Sequence, residues 1–323
     1  MKIVIIGCSG HVEYALASEE FNIAAFAPGS ADEECDLFFK EKLEIRHVMR
    51  YEDYHAMLES EHPDLAVINP HYDLNGKITI QCLKHGIHCF TEKPLSLVEE
   101  ELDEIEAILK DTNSQLCTMM HYRYHAAFFA AYTAVVSGVI GDPLLFTAQK
   151  SYKMGEKPKW MQNKEKFGGI IPWVGSHPID LIHWMSEGKI INVSASSTTK
   201  GNHNFGGVES SATLMMQLTN GGNATINLDY FRPESAPTFG DDRIRVAGEK
   251  GSVEVIEDKA YLITNDSNKE QLGSQVEQSL FKAFIDQIEK NVECRVSSQD
   301  AIDVARICIA ANKSAETHTM ISL

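Results

Sequence analysis

The sequence predicts an α/β protein with two domains, the first on a doubly wound parallel sheet and the second an α+β domain on a mostly antiparallel open sheet. Residues 1–122 alternate apolar runs of strand type with helical patterns, as strands joined by crossover helices do. From Leu144 onward, strand patterns follow one another without crossover helices, which indicates antiparallel pairing. A chain of 323 residues is long enough for two cores, and we place the domains at 1–122 and 123–323.

Charge and cysteine content limit the partners and the compartment. The chain has 29 Lys and Arg against 46 Asp and Glu, a net charge of −17 that repels polyanions, so neither nucleic acid nor an anionic membrane is an expected partner. The seven cysteines include no CxxC pair and are typical of reduced thiols. No run reaches the roughly 18 apolar residues of a membrane span, and residues 3–6 are too short for a signal peptide. We expect a cytoplasmic protein.

The first strand, predicted at residues 3–6, leads into the turn Gly7-Cys8-Ser9-Gly10. Dinucleotide-binding folds place GxGxxG here, so that backbone amides and a helix N-terminus meet the pyrophosphate. Gly7, Ser9 and Val12 occupy the three glycine positions, which makes the fingerprint degenerate, although Ser9 is small and its hydroxyl can donate to a phosphate. We predict a nucleotide site that includes Gly7, Ser9, Gly10 and His11.

The end of the second predicted strand, at residues 22–26, does not decide between NAD and NADP. An acid usually binds the ribose hydroxyls about 20 residues after the glycine turn, but here Ala27-Pro28-Gly29-Ser30 follows, with no acid before Asp32 and no arginine for a 2′-phosphate. The predicted cofactor site extends to Ser30 and, after a buried strand at 65–68, to Asn69 and Pro70. The alternative is a domain that binds its nucleotide weakly or not at all.

A fourth predicted strand, at residues 87–90, leads into Thr91-Glu92-Lys93-Pro94. A residue before proline is extended, so Lys93 should end the strand at the edge where open parallel sheets bind ligands. A buried lysine there can give or take a proton; the alternative is a solvated turn residue. Ser96 and Glu99 then stand at capping-box spacing before a helical pattern.

Residues 83–95 resemble the "GkhVxxEKPl" signature of the glucose-fructose oxidoreductase and inositol dehydrogenase (Gfo/Idh/MocA) family. Tyr122-Arg123-Tyr124 and the segments 140–143 and 248–254 resemble the family as well. The resemblance implies an N-terminal Rossmann domain that binds NAD or NADP and a C-terminal mixed, largely antiparallel sheet. It also implies a cis Lys93–Pro94 bond, a catalytic Lys93, and Glu92 and Lys93 beside the cofactor.

Residues 168–180 resemble the family pattern GGGxxxDxGxHxxD, whose histidine faces the substrate carbinol and works with the lysine. His177 and Asp180 match, but Trp173 stands in place of the first acid. An indole cannot accept a hydrogen bond from a hydroxyl, although it can stack on the apolar face of a sugar. We therefore predict Lys93 and His177 as catalytic, and as substrate-binding residues Asp180, Trp173, Tyr122 and Arg123.

Two further groups of side chains leave alternatives open. His121 and His125 have the i, i+4 spacing of a metal pair, but no third ligand is suggested and we predict no metal site. Six lysines crowd a short segment and form either a lid that attracts an anionic substrate or a solvated loop. They are Lys150, Lys153, Lys157, Lys159, Lys164 and Lys166.

The second half should contain strands near residues 144–152, 191–199, 211–218, 224–230, 244–247 and 252–256. Asn220-Gly221-Gly222-Asn223 predicts a hairpin. Helical patterns follow at 276–288 and 300–312, the latter with Ser297 and Asp300 at capping-box spacing. The family resemblance implies a homodimer or homotetramer.

The leading functional hypothesis is an NAD(P)-dependent oxidoreductase that moves a hydride between nicotinamide and a secondary alcohol of a sugar, polyol or related small molecule. The alternative is a catalytically weak or silent nucleotide-binding or regulatory protein on the same fold. The departures at Ser9 with Val12, at Ala27-Pro28 and at Trp173 motivate this alternative.

Overall fold

The computed structural model describes residues 1–18, 20–30, 33–186 and 190–323; Asp32 therefore lies outside the described residues. The chain forms two units. The first contains Met1–Met119, Glu165–Phe167 and Ser279–Ala305, and the second contains Met120–Lys164, Gly168–Gln278 and Arg306–Leu323. Two segments that the predicted division at residue 122 assigned to the second half, 165–167 and 279–305, are thus part of the first unit.

The described residues form strands that we number in chain order: β1 Ile3–Gly7, β2 Ile23–Ala27, β3 Met49–Arg50, β4 Leu65–Asn69, β5 His88–Thr91, β6 Leu116–Thr118, β7 Pro143–Tyr152, β8 Ile190–Thr198, β9 Ser211–Leu218, β10 Asn223–Asp229, β11 Gly240–Gly248, β12 Gly251–Ile256, β13 Lys259–Thr264, β14 Glu270–Leu272 and β15 Ile321–Ser322. The α-helices are α1 Glu33–Phe38, α2 Tyr54–Glu61, α3 Asn75–Lys84, α4 Glu99–Asp111, α5 Ala126–Val136, α6 Lys164–Phe167, α7 Ser176–Met185, α8 Leu280–Lys290 and α9 Ser298–Thr317.

The sheet of the first unit is parallel throughout, with the order β3-β2-β1-β4-β5-β6. This confirms the predicted doubly wound sheet. The strand order reverses between β1 and β4, and ligands bind at such a switch point outside the carboxyl ends of the strands. Gly7 pairs with Asn69, and Ile68 with Thr91, so the ends of β1, β4 and β5 lie side by side. The central strands β1 and β4 are buried along their whole length, as their continuous apolar runs predict.

Two local features of the first unit differ from what the sequence pattern indicates. The helix that dinucleotide-binding folds place after the glycine turn is here a 3₁₀ helix of five residues, Val12–Leu16. Its aligned peptide dipoles are too few to supply the helix-end attraction for a pyrophosphate that a full first helix would supply. The capping box at Ser96 and Glu99 is absent, because Val98 is extended and the helix begins only at Glu99. Ser96 Oγ instead accepts from the Val98 N–H at 2.9 Å.

The structure contains the second predicted capping box and the last two predicted helices, although the ends of these helices differ from the predicted ones. Asp300 N–H donates to Ser297 Oγ at 3.0 Å, and Ser297 N–H donates to Asp300 Oδ2 at 2.9 Å. This reciprocal pair confirms the cap of α9. The helix predicted at 276–288 begins later, at Leu280, because Ser279 caps it by accepting from the Lys282 N–H.

The sheet of the second unit has the order β14-β13-β12-β11-β7-β10-β9-β8-β15. Its neighbours are antiparallel except β7 and β10, which are parallel, so the prediction of a mostly antiparallel sheet is confirmed. The predicted hairpin joins β9 to β10. Strands β14 and β15 were not predicted, because they are edge strands of three and two residues. Strand β13 was not predicted either.

One face of this second sheet is covered by helices and the other is open. Helix α5 packs on β12 and β13, and α7 packs on β7 and β10. Along β9, buried and exposed residues alternate, as in a sheet with one solvated face. In the described part of the chain, no helix is long and apolar enough to cross a membrane.

Candidate functional site

The glycine turn after β1 is held tightly against the end of β4. Gly7 has φ +84°, and a Cβ there would overlap the carbonyl of Asn69. Ser9 N–H donates to Asn69 O at 2.8 Å, and Asn69 Nδ2 donates back to Ser9 O at 2.7 Å. Gly10 has φ +65°, and a Cβ there would meet the carboxylate of Glu92. The close approach on both sides therefore requires glycine at these two positions.

The loop after β2 lies beside this turn. A Cβ added at Gly29 would come within 3.3 Å of the Pro70 side chain and 3.4 Å of the Gly7 nitrogen. Ser30 is buried, and its N–H donates to Pro28 O at 2.6 Å. The structure thus brings together the predicted cofactor residues of the first, second and fourth strands at one sheet edge.

Glu92 has a buried carboxylate that accepts a hydrogen bond from the residue after the glycine turn. Its side chain is fully buried, its Oε2 accepts from the His11 N–H at 2.9 Å, and His11 Nδ1 lies 3.0 Å from both carboxylate oxygens. Burial raises the pKa of Glu92, but His11 and Lys93 favour the ionised form more strongly, so the pKa lies below its usual value. The two predicted cofactor residues His11 and Glu92 are therefore partners of each other within the protein.

Lys93 follows Glu92 in a buried stretch that continues to Ser96, and its amine lies next to the Glu92 carboxylate. Its side chain is 4% exposed, and Nζ lies 3.7 Å from Glu92 Oε1. The Lys93–Pro94 bond is cis, as the family resemblance implies. Asn75, the first residue of α3, donates through Nδ2 to Glu92 O at 3.0 Å and to Pro94 O at 2.8 Å. Its amide therefore holds the backbone on both sides of Lys93.

Asn75 was missed by sequence reasoning, because it is one polar residue in an ordinary helix start. Only its complete burial marks it as special.

The chemistry of this edge fits a dinucleotide. Asn69 is fully buried, and its Oδ1 has no hydrogen-bond partner in the part of the chain that the structure describes. An unpaired buried acceptor is costly, and a ligand donor such as a hydroxyl or carboxamide would satisfy it. The narrow turn and the Ser9 hydroxyl suit the approach of a phosphate.

In the second unit, His177 lies in the first turn of α7 and is 2% exposed. Its ring packs against those of His121 and Tyr122, at centroid distances of 4.9 and 5.0 Å. A π-helical turn, Ile171–Gly175, leads into α7. Pro178 is the third residue of α7, and a missing N–H is tolerated in the first turn of a helix.

The hydroxyl of Tyr122 belongs to a buried polar cluster. It donates to Asp242 Oδ2 and accepts from Lys150 Nζ at 2.5 Å, and the same Nζ lies 3.0 Å from Asp242 Oδ1. Burial, followed by Tyr152 and Asp242, raises the pKa of Tyr122, so the phenol is neutral. Lys150 and Asp242 were missed, although they face each other on β7 and β11, because the register of these strands is not readable from sequence.

Arg123 and Asp180, both predicted to bind substrate, form a buried ion pair. Their side chains are 2% and 1% exposed, and Asp180 Oδ1 accepts from Arg123 Nη2 at 2.6 Å and from Nε at 3.1 Å. The guanidinium also lies over the ring of Trp184 at 5.4 Å. These contacts give both residues a structural partner within the second unit.

Trp173, the substitute for the family acid, is half-buried and lies 6.2 Å from the ring of Tyr230. The Nζ of Lys157 lies 5.5 Å from the Trp173 ring and 4.5 Å from the Tyr230 ring. Trp173 therefore presents an aromatic surface with a cation beside it.

Replacing Glu92 by Gln should make the free energy of unfolding less dependent on pH in the acid range. A carboxyl whose pKa is lowered on folding stabilises the fold above the unfolded value of about 4.3, and that stability is lost as the pH falls through the folded pKa. The expected measurement is a smaller drop in the unfolding midpoint of Glu92→Gln than of the wild type between about pH 6 and about pH 3. Glu100→Gln, at an exposed position on α4, is the control. Identical profiles for both variants would contradict the role given to Glu92.

Comparison with known proteins gives a family match for most of each unit. Residues 1–121 match an oxidoreductase family with an NAD-binding Rossmann fold, and residues 128–254 match the Gfo/Idh/MocA C-terminal domain. A solved structure of a proposed oxidoreductase from Thermotoga maritima is 35% identical, covers 100% of both chains and has a TM-score of 0.96.

Two curated relatives are more distant in sequence. Myo-inositol 2-dehydrogenase of Thermotoga maritima is 23% identical over 88% of this chain and 86% of its own length. An inositol 2-dehydrogenase/D-chiro-inositol 3-dehydrogenase of Lactiplantibacillus plantarum is 24% identical over 64% of this chain, and the match spans 56% of that relative. With both units matched, the chain belongs to the Gfo/Idh/MocA family of NAD-binding oxidoreductases.

Proposed function

We propose that the protein is an NAD(P)-dependent dehydrogenase that transfers a hydride between nicotinamide and a secondary alcohol carbon of a polyol or sugar. The observation that carries the proposal is Lys93. Its side chain is 4% exposed just beyond the carboxyl end of β5, and its amine lies 3.7 Å from a buried carboxylate. An amine kept from water at the ligand-binding edge of a parallel sheet is suited to proton transfer.

Oxidation of an alcohol releases a hydride and a proton, and the two need different acceptors. The nicotinamide, when bound, takes the hydride. The turn Gly7–Gly10, Ser30 and Asn69 would hold the dinucleotide at the edge of the first sheet. Lys93 and His177 are the side chains that we assign to the hydroxyl proton. Neither residue needs a metal ion for this step.

The substrate class rests on two supports. Relatives over most of the chain length are named as inositol dehydrogenases, so a cyclic polyol is a reasonable first substrate. The aromatic surface of Trp173 and Tyr230 suits the C–H face of a sugar or polyol ring.

The first experiment separates cofactor binding from turnover. The purified protein is titrated with NADH and NADPH by nicotinamide fluorescence, and polyols and sugars, including myo- and scyllo-inositol, are then screened by nicotinamide absorbance. We expect binding and turnover in the wild type. His177→Asn should keep the binding and lose about 10²–10⁴-fold in rate, the usual contribution of a proton-transfer group. Full activity of His177→Asn would remove His177 from the mechanism.

The alternative, a nucleotide-binding protein with little or no catalysis, is favoured by one feature. The 3₁₀ helix Val12–Leu16 replaces the full helix that normally follows the phosphate turn. Tight binding of NADH without turnover on a broad panel would support this alternative, whereas absence of any nucleotide binding would contradict both.

A further inference from the structure

The six lysines between residues 150 and 166 have different environments. Lys150 is buried against Asp242, Lys153 Nζ donates to Glu234 O at 2.7 Å, and Lys164 forms ion pairs with Glu209 and Glu316 at 2.7 and 3.0 Å. Lys159 and Lys166 are exposed. These five are either satisfied by the protein or solvated, so a uniformly solvated loop does not describe the segment.

Lys157 is the exception. Its side chain is half-buried, its Nζ donates to Met154 O, and it lies over the rings of Tyr230 and Trp173. Within residues 1–18, 20–30, 33–186 and 190–323, no carboxylate lies within 4.0 Å of this Nζ. Burial lowers the pKa of Lys157 to about 8, so the amine is still mostly charged near neutral pH. A partly buried ammonium without a counter-ion is unusual in a chain of net charge −17.

The position of Trp173 connects this lysine to His177. The π-helical turn 171–175 passes into α7 without a break, since Gly175 (φ −74°, ψ −20°) and Ser176 (φ −55°, ψ −38°) are both helical. Residues four apart on a helical stretch lie on the same side of it. Trp173 and His177 therefore face the same side of the second unit.

We propose that Lys157, Trp173 and Tyr230 form a subsite for a sugar acid. The substrate carboxylate would pair with Lys157, and its C–H face would stack on Trp173. An anionic ligand supplies the counter-ion that the protein does not. A single ammonium matches the single negative charge of a carboxylate, whereas a phosphate monoester carries a charge of about −1.5 to −2 at pH 7. The proposal rests on the proposed function and specifies its substrate class.

Binding is measured by calorimetry or tryptophan fluorescence with matched pairs in which a carboxylate replaces one hydroxymethyl group, gluconate against glucitol and glucuronate against glucose. We expect the acid of each pair to bind about tenfold or more tightly than its neutral partner, as one ion pair of about 1.4 kcal/mol gives. Lys157→Met should abolish the preference, so that the acid and the neutral partner of each pair bind equally. Lys157→Arg should keep it, and so should the control Lys159→Met at a neighbouring exposed position.

The outcomes separate this proposal from the proposed function. Equal binding of acid and neutral partner, no binding of the acids, or a preference that survives Lys157→Met would overturn the subsite. Stronger binding of glucose 6-phosphate than of glucuronate would also overturn it, in favour of a phosphate ligand. Nicotinamide-linked turnover of neutral polyols would still support the dehydrogenase. Conversely, Lys157-dependent binding of acids without turnover would support the subsite and count against the dehydrogenase. Unchanged thermal midpoints show that the variants are folded.

Discussion

Replacing Lys93 by Met is expected to lower nicotinamide-linked turnover by about 10²–10⁴-fold while NADH still binds. Methionine has a similar length and is unbranched, so it can fill a site in which the lysine is 4% exposed. It cannot exchange a proton. The rate should therefore fall at the chemical step, which lowers kcat and kcat/KM together.

The controls distinguish lost proton transfer from lost charge. Lys93→Met also removes a cation from the side of Glu92. Lys93→Arg keeps that cation, but a guanidinium stays protonated throughout the working pH range. If Lys93 transfers a proton, the Lys93→Arg variant should be more stable than Lys93→Met, but its turnover should be as slow. Lys84→Met, at an exposed position on α3, should behave as the wild type. Wild-type turnover in Lys93→Met would exclude Lys93 as the proton carrier.

Much of the first unit could be predicted because its signals are local in sequence. The strands β1 and β4 are continuous apolar runs and lie in the centre of the sheet, as such runs indicate. The prediction that Lys93 is the last residue of β5 was wrong by two positions: β5 ends at Thr91, and Lys93 lies in the bend that follows, at the same edge of the sheet. The site residues near Gly7, Asn69 and Glu92 follow once the parallel order of the strands is known.

The parts that could not be predicted depend on contacts between distant residues. Arg123 and Asp180 are 57 positions apart, and Tyr122 and Asp242 are 120 positions apart. The family resemblance assigned Tyr122, Arg123 and Asp180 to substrate binding and did not single out Asp242, because nothing near these residues in the chain shows which partners the fold brings to them. Lys157 shows the opposite case: its run of lysines favoured a solvated loop, and only the aromatic rings around its amine distinguish it.

Breaking the Arg123–Asp180 pair from one side should destabilise the second unit by about 3–5 kcal/mol, because the remaining charge is buried without its partner. Arg123→Met and Asp180→Leu are the single variants. The double variant should recover most of the loss, since it buries no lone charge. The chain's three tryptophans, Trp160, Trp173 and Trp184, all lie in this unit, so denaturation followed by tryptophan fluorescence reports on it.

The same variants test the role that the sequence assigned to Asp180. If Asp180 binds substrate, Asp180→Asn should raise KM with little change in the unfolding transition. If the ion pair is its main role, Asp180→Asn should lower stability, and Arg123→Met should do the same, although it leaves the carboxylate in place. A double-mutant coupling near zero would mean that the two charges act independently, and the substrate-binding interpretation would then be the better one.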